Sequence, residues 1–233
     1  MRQINKGSEP AEHTQWKGQN KALPNFCYAA LTAEHRRAIR ENLVHEQRGL
    51  CAYTGRRIEI DSCHIEHLKP QSHCGPGEDI DYRNLVAGVP APNTPQLSYG
   101  AHKKADWPPV AAEHLFVSPL SAGCGARFSF RLSGEVAASN VGDAATTETI
   151  TRLGLNEKAL VQLRKSAIDA TLQIRGRGLA SIDVGDARRR LNDLERAEQQ
   201  NGPLEPYSFV LTQALEKQIQ RIEKIRQAKK GQP

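Results

Sequence analysis

The 233-residue sequence carries a formal net charge of +6 and has a pI of about 9.1. Hydrophobic residues make up 38% of it and aromatic residues 5%, which allows a packed but lean core. No apolar run approaches the ~18 residues that a membrane span requires, and the polar N-terminus lacks the apolar stretch of a secretory signal peptide. We therefore expect a cytoplasmic protein. The basic balance is compatible with a polyanionic partner but does not identify one.

The cysteine pattern indicates free thiols rather than a disulfide framework. The number of cysteines is odd and no two are spaced as C-x-x-C; they are Cys27, Cys51, Cys63, Cys74 and Cys124. A structural zinc site needs four Cys or His ligands, and this chain does not offer such a set at recognisable spacing. We therefore expect no structural Zn²⁺, and a scaffold held by packing alone.

The first 31 residues are polar, with scattered charges and two prolines. They predict an extended arm that becomes ordered only against the rest of the protein or a partner. Its anchors would be Trp16, Phe26 and Tyr28, which either cover the local core or contact that partner.

A helix is predicted from Thr32 to Gln47. Thr32 can accept hydrogen bonds from the first amides, and Ile39, Leu43 and Val44 recur at helical spacing. Several basic side chains lie mostly off that apolar stripe, and they form either a solvated face or a set of phosphate contacts: Arg36, Arg37, Arg40 and Arg48.

The most informative stretch is HIEHLKPQS, residues 64–72. Two imidazoles flank a carboxylate, and a proline follows three residues after the second imidazole. Asn84 then follows in DYRNL, and His102 in GAHKK. This ordered set resembles the HNH nuclease motif, with His67, Asn84 and His102 supplying its three letters in order.

The surrounding pattern fits two short strands joined by a loop. The first carries HIEH, and the second is the apolar segment from Leu85 to Val89. Asp79 and Asp81, between them, are expected to form a turn rather than to bind a metal. Three prolines then exclude a continuous helix before His102. The resemblance to the HNH motif implies that residues 51–107 form a ββα-metal core.

The resemblance implies roles for the residues of the motif. His67 would be the general base, since an imidazole with a pKa near ~6.5 can take a proton from water at neutral pH. Glu66 and His102 would bind a divalent metal, with Mg²⁺ favoured and Mn²⁺ the alternative. Asn84 would fix the loop that carries the catalytic histidine. Because adjacent strand residues point to opposite faces, Glu66 and His67 would need a bent backbone or a metal placed to one side.

Three further residues surround this set. Lys103 and Lys104 follow His102 and are candidate nucleic-acid contacts, since their ammonium groups can meet phosphate oxygens; the alternative is a solvated pair. His64 is expected to support the site or the fold, and a role as a metal ligand is the alternative.

The C-terminal part, residues 108–233, predicts a hairpin followed by helices. Residues 127–136 alternate apolar and polar side chains around a Ser-Gly turn. Two helices are predicted within residues 146–173, the second capped by Asn156. A helix near Asp186 to Glu198 and a long one from Tyr207 to Lys229 would complete the chain.

A wider resemblance covers most of residues 1–175. The run LVHEQRGLCAY at residues 43–53, the HIEH and GAHKK motifs and the segment TITRLGLN at residues 149–156 are similar to the retron- and Septu-associated HNH endonuclease family. That family supplies the nuclease subunit of bacterial antiphage systems. The resemblance implies an ABC/SMC-like ATPase partner and cleavage of nucleic acid during phage infection. Thr54 stands where the family has the second cysteine of a zinc pair.

The sequence as a whole predicts an α+β protein with the HNH core embedded in a largely helical chain. Its predicted organisation is an N-terminal arm and helix over 1–50, the nuclease core over 51–107 and the C-terminal hairpin and helices over 108–233. The predicted function is metal-dependent phosphodiester hydrolysis with DNA as the favoured substrate. The alternatives are an effector that cleaves RNA or tRNA, and a non-catalytic subunit that binds nucleic acid or the ATPase.

Overall fold

A computed structural model of the protein describes residues 1–24, 26–174 and 182–230. Within these residues the chain forms seven α-helices and two antiparallel two-stranded sheets, the α+β class that the sequence predicts. The strands are β1 (His64–His67), β2 (Leu85–Gly88), β3 (Phe128–Phe130) and β4 (Val136–Ala138). The helices are α1 (Ala11–Asn20), α2 (Ala33–Glu46), α3 (Ala101–Lys104), α4 (Ala144–Arg152), α5 (Lys158–Thr171), α6 (Val184–Gln199) and α7 (Ser208–Lys230). No helix in these ranges is both long enough and apolar enough to cross a membrane.

The β1–β2 hairpin lies between two apolar clusters. The strands pair with His64 opposite Gly88 and His67 opposite Leu85. Because side chains alternate along a strand, Ile65 and its neighbours on one face pack into a cluster with Ile39 of α2. The other face contributes Val86 to a larger cluster. Each side chain of β1 therefore lies on the side of one of these two clusters.

The larger cluster joins all three predicted segments of the chain. It includes Met1 and Ile4 from the N-terminus, Tyr53 from the central segment, and Phe128 and Leu211 from the C-terminal part. The apolar core thus crosses the predicted boundaries at 50/51 and 107/108. Residues 175–181 and 231–233 of the third segment lie outside the described residues.

The N-terminal segment is ordered against the rest of the protein, which is one of the two predicted alternatives, but it is not extended throughout. Residues 11–20 form α1, and Met1 and Ile4 are almost completely buried. His13 of α1 is also buried, with its Nε2 at 2.8 Å from the carbonyl oxygen of Ile80. A few apolar side chains suffice to order this segment because each fills a position in a core built by distant parts of the chain.

Helices α2 and α7 confirm the predicted spans to within one or two residues, and the Thr32 hydroxyl accepts a hydrogen bond from the His35 amide as predicted. The capping role of Asn156 was wrong, because α5 begins at Lys158 after Glu157. The Asn156 amide instead pairs with β4, accepting from Val136 N at 2.8 Å and donating to Val136 O at 2.8 Å.

Two other amides cover strand edges in the same way. Gln213 of α7 accepts from Phe130 N and donates to Phe128 O, both at 2.9 Å. Gln47, which follows α2 and is buried, accepts from Ala87 N at 2.6 Å and donates to Ala87 O at 2.9 Å. Short sheets leave backbone groups unpaired at their edges, and these side chains satisfy them.

We expect Gln47→Leu to lower the free energy of unfolding by roughly 1–3 kcal/mol, because it leaves the Ala87 amide buried without a partner. Urea denaturation measures this change. Gln199→Leu is the matched control, since Gln199 is exposed at the end of α6 and its replacement is expected to change stability by less than about 0.5 kcal/mol. Equal stability of the two variants would contradict the proposed anchoring of β2.

Candidate active site

Strand β1 divides the predicted site residues between its two faces. His64 and Glu66 lie on one face and are partly exposed, whereas His67 lies on the other and is 7% exposed. The strand is regular from His64 to His67, without the bend that would bring Glu66 and His67 to one side. The described residues place β1 in a two-stranded sheet, paired with β2 along a single edge.

The Glu66 carboxylate is held in a set of charged and polar groups. Its Oε1 accepts a hydrogen bond from the Tyr53 hydroxyl at 3.2 Å and contacts the Lys104 ammonium at 3.0 Å. Its Oε2 faces the Nε2 of His64 at 3.6 Å. Burial by itself would raise the pKa of Glu66, but His64 and Lys104 outweigh it and hold the pKa below its usual range. Glu66 is therefore an anion at neutral pH.

Lys104 does not occupy the position that the sequence predicted for it. It is 2% exposed, and its ammonium donates to the carbonyl oxygen of His67 at 2.8 Å besides contacting Glu66. The orientation of α3 against the hairpin buries Lys104 and leaves Lys103 exposed. Lys104 thus holds β1 from within and cannot meet a phosphate, while Lys103 remains free to do so.

The rings of His64 and His102 stack with their centroids 6.0 Å apart. His64 Nδ1 lies 2.6 Å from the carbonyl oxygen of Pro90, so this nitrogen carries a proton and donates it. The Leu97 amide donates to His102 Nδ1 at 3.0 Å, so the neutral His102 ring carries its proton on Nε2. His64 Nε2 is therefore directed at Glu66. Because His102 Nε2 carries a proton, it acts as a hydrogen-bond donor and not as the predicted metal ligand.

Among the described residues, no group of three or more His, Cys, Asp or Glu side chains is arranged to hold a metal ion. His64 Nε2 and Glu66 Oε2 nevertheless face each other, and Mg²⁺ commonly uses only one or two protein ligands while keeping several waters. Burial lowers the pKa of His64, but Glu66 and the Pro90 carbonyl outweigh it and raise the pKa, so a cation here would replace the proton on His64 Nε2. These two donors fit a divalent cation held by few protein groups. The Glu66 oxygen suits Mg²⁺ or Mn²⁺.

His67 is fixed by the segment that precedes β2. Its Nε2 lies 2.9 Å from the carbonyl oxygen of Asp79, and the Tyr28 ring packs edge-on against the imidazole at 4.8 Å. Asp79 Oδ2 in turn accepts from the Tyr28 amide at 2.7 Å. Burial lowers the pKa of His67, so the ring is neutral at pH 7 with its proton on Nε2. Within the described part of the chain, no hydrogen bond engages its Nδ1.

Asn84 binds the loop that follows β1. Its Oδ1 accepts from the Lys69 amide at 2.7 Å, and its Nδ2 donates to the Lys69 carbonyl at 3.1 Å. The same Nδ2 contacts the carbonyl oxygen of Glu78 at 3.3 Å. Asn84 therefore ties together the two ends of the segment between the strands, including the part that carries Asp79.

Three residues around the site were not predicted as parts of it: Tyr28, Tyr53 and Asp79. Tyr53 stays protonated because burial, and then the adjacent Glu66, raise its pKa well above the usual range. No spacing rule links Tyr53 to Glu66, which lies 13 residues further along the chain, or the more distant Tyr28 to His67.

Comparison with known proteins adds one distant relationship. No family model matches the chain. The chain is 25% identical over 176 residues to a protein of Vibrio cholerae serotype O1 biovar El Tor named "Retron Vc95 putative HNH endonuclease". The aligned region covers 73% of this chain and 82% of that protein. The similarity thus extends well beyond the residues of the motif.

Proposed function

We propose that this protein is a metal-dependent endonuclease of the HNH type that hydrolyses phosphodiester bonds of nucleic acid. The observation that carries the proposal is the state of His67: a neutral imidazole whose Nε2 proton is committed to the Asp79 carbonyl. Such a ring can accept a proton only at Nδ1, as a general base requires. The name of the retron relative, and its similarity over most of this chain, support the same function.

In this mechanism His67 Nδ1 takes a proton from a water molecule as the water oxygen bonds to phosphorus. The bond from phosphorus to the leaving oxygen breaks, and that oxygen gains a proton from solvent. His67 then returns its proton to solvent. Asp79 and Asn84 act as positioning residues, because they hold the imidazole and the adjoining loop.

His64 and Glu66 are the residues that would hold the divalent cation. When bound, it would supply Lewis-acid stabilisation of the negative charge that develops on phosphate. Lys104 keeps Glu66 ionised and fixes the backbone of His67 at the same time. His102 Nε2 and the exposed Lys103 would donate to phosphate oxygens.

DNA is the proposed first substrate, and an ABC/SMC-like ATPase is the proposed partner in an antiphage system. The retron named in the relative's description supports the defence context. A site that contacts phosphates rather than bases does not by itself favour one polynucleotide, so RNA and tRNA are tested beside DNA.

The first test is cleavage of plasmid DNA and of total tRNA by the purified protein, alone and with an ABC/SMC-like ATPase of the proposed kind. We expect cutting in Mg²⁺ or Mn²⁺ and its loss in EDTA, restored when excess metal is added back. Cutting of tRNA but not of DNA would identify tRNA, instead of DNA, as the substrate. Equal cutting in EDTA would contradict metal dependence, and metal binding without cutting in any condition would favour a non-catalytic nucleic-acid-binding subunit.

A further inference from the structure

Two arginines of α2 differ in their contacts from Arg37 on the same helix and from Arg48 just after it. Arg36 and Arg40 form no ion pair within the described residues, and the Nε of each is buried without a hydrogen-bond partner there. Arg37 on the same helix pairs with Glu41 at 3.0 Å and Asp61 at 3.6 Å. Arg48, just after the helix, donates to the carbonyl oxygens of Gly202, Glu198 and Ala197. Arg36 and Arg40 are thus exceptions in their own neighbourhood.

Their placement costs stability in the free protein. Residues four apart on a helix are neighbours, so the two positive charges repel each other. A buried N–H without a partner adds a desolvation cost. Nearby carboxylates do not neutralise these two positive charges. Glu34 is exposed and forms hydrogen bonds with Thr32 and the backbone at the start of the helix, and Asp79 Oδ2 accepts a hydrogen bond from the Tyr28 amide. An anion that both guanidinium groups can bind would reduce the repulsion between their charges.

Arg36 is connected to the proposed general base through the ring of Tyr28. The Arg36 guanidinium lies over that ring at 5.2 Å, and the same ring makes a T-shaped contact with the His67 imidazole at 4.8 Å. Arg36 is held in place by a hydrogen bond from Nη2 to the carbonyl oxygen of Ala29 at 3.0 Å. Burial raises the pKa of Tyr28, and the positive charges of Arg36 and Arg40 oppose that rise. The phenol has no hydrogen-bond partner among the described residues.

We propose that Arg36 and Arg40, with the Tyr28 hydroxyl as a further donor, bind backbone phosphates of the nucleic-acid substrate beside the cleaved bond. The ligand is a phosphodiester chain, since guanidinium groups bind phosphate oxygens through paired donors and carry no base specificity in that contact. The inference rests on the proposed function and specifies where its substrate lies.

The test measures binding separately from cleavage. The full-length protein would be titrated with a fluorescently labelled DNA duplex and an RNA duplex in EDTA, between about 50 and 200 mM salt. The test variant is Arg36→Gln/Arg40→Gln. The control is Arg37→Gln/Arg131→Gln, which loses the same two charges from exposed arginines already paired with carboxylates. Circular dichroism and urea denaturation verify that both are folded.

We expect the test variant to bind the preferred duplex at least about tenfold more weakly and to reduce the slope of log K against log salt by about 2, one unit for each lost phosphate contact. The control should change both quantities much less. Equal affinity and slope in the two variants would overturn the inference, as would an acidic peptide that binds with the same arginine dependence and displaces the duplex.

If the wild type cuts and the test variant binds normally, the proposed function stands and the phosphate site fails. If binding depends on the arginines and no cutting occurs, the phosphate site stands and the nuclease fails.

Discussion

Replacing His67 with alanine is expected to reduce metal-dependent cleavage by roughly 10²–10⁴-fold, the contribution typical of a positioned general base. The loss should appear in kcat, because the imidazole acts on the attacking water and not in substrate binding. Initial rates of plasmid cleavage at saturating metal measure it. His114→Ala removes an exposed imidazole outside the site and should keep full activity.

His67 is buried, so the alanine variant could lose activity through unfolding. His67→Gln separates the two causes, since its side-chain amide can still donate to the Asp79 carbonyl but cannot accept a proton from water. We expect this variant to be folded by circular dichroism and to be as inactive as the alanine variant. A folded His67→Gln protein with wild-type rates would exclude His67 as the base.

The pH dependence gives an independent check. A general base works in its neutral form, and burial lowers the pKa of His67 from its ordinary value of 6.5. Activity should therefore persist below pH 6.5 and fall only as the pH drops through the lowered pKa of this histidine. A rate that already halves above pH 6.5 would indicate that a different group limits the reaction.

Glu66→Gln is expected to affect both stability and activity. The substitution leaves the Lys104 ammonium, whose side chain is 1% exposed, without a counter-charge. Breaking one partner of a buried ion pair costs about 3–5 kcal/mol, so we expect a large loss in the free energy of unfolding. It also removes the carboxylate proposed to hold the cation. Urea denaturation measures the first effect, and cleavage at increasing Mg²⁺ and Mn²⁺ concentrations measures the second.

The double variant Glu66→Gln/Lys104→Met separates these effects. Removing the unpaired ammonium should recover much of the lost stability while activity stays low. A double variant as unstable as Glu66→Gln would contradict the ion pair as the cause. Because the pKa of Glu66 is lowered from 4.5, the contribution of this pair is fully present above pH 4.5 and is lost as the pH falls through the lowered value. Exposed Glu59→Gln is the matched control, with little change expected in either measurement.

The proposed metal site and the proposed phosphate site lie on different faces of β1. Glu66 and His64 face the larger apolar cluster, whereas His67 faces Tyr28 and α2. A substrate that meets both has to lie across the strand or around its end.

Local patterns in the sequence determined several elements of this protein. Thr32 and the apolar spacing after it define α2, and alternation around a Ser-Gly turn defines the β3–β4 hairpin, because capping and side-chain periodicity act within a few residues. The same period of two placed Glu66 and His67 on opposite faces of β1. The order of the motif also indicated the residues of the candidate site.

Only the tertiary structure decided what those residues contact. Lys103 and Lys104 are equivalent in sequence, and the orientation of α3 against the hairpin exposes one and buries the other on Glu66. The tautomer of His102 depends on the Leu97 amide, which a proline-rich loop brings to its ring. Met1 and Tyr28 became part of the core and of the site through contacts with distant segments. These outcomes follow from packing between segments that are distant in the sequence, and the local sequence around each residue does not indicate those contacts.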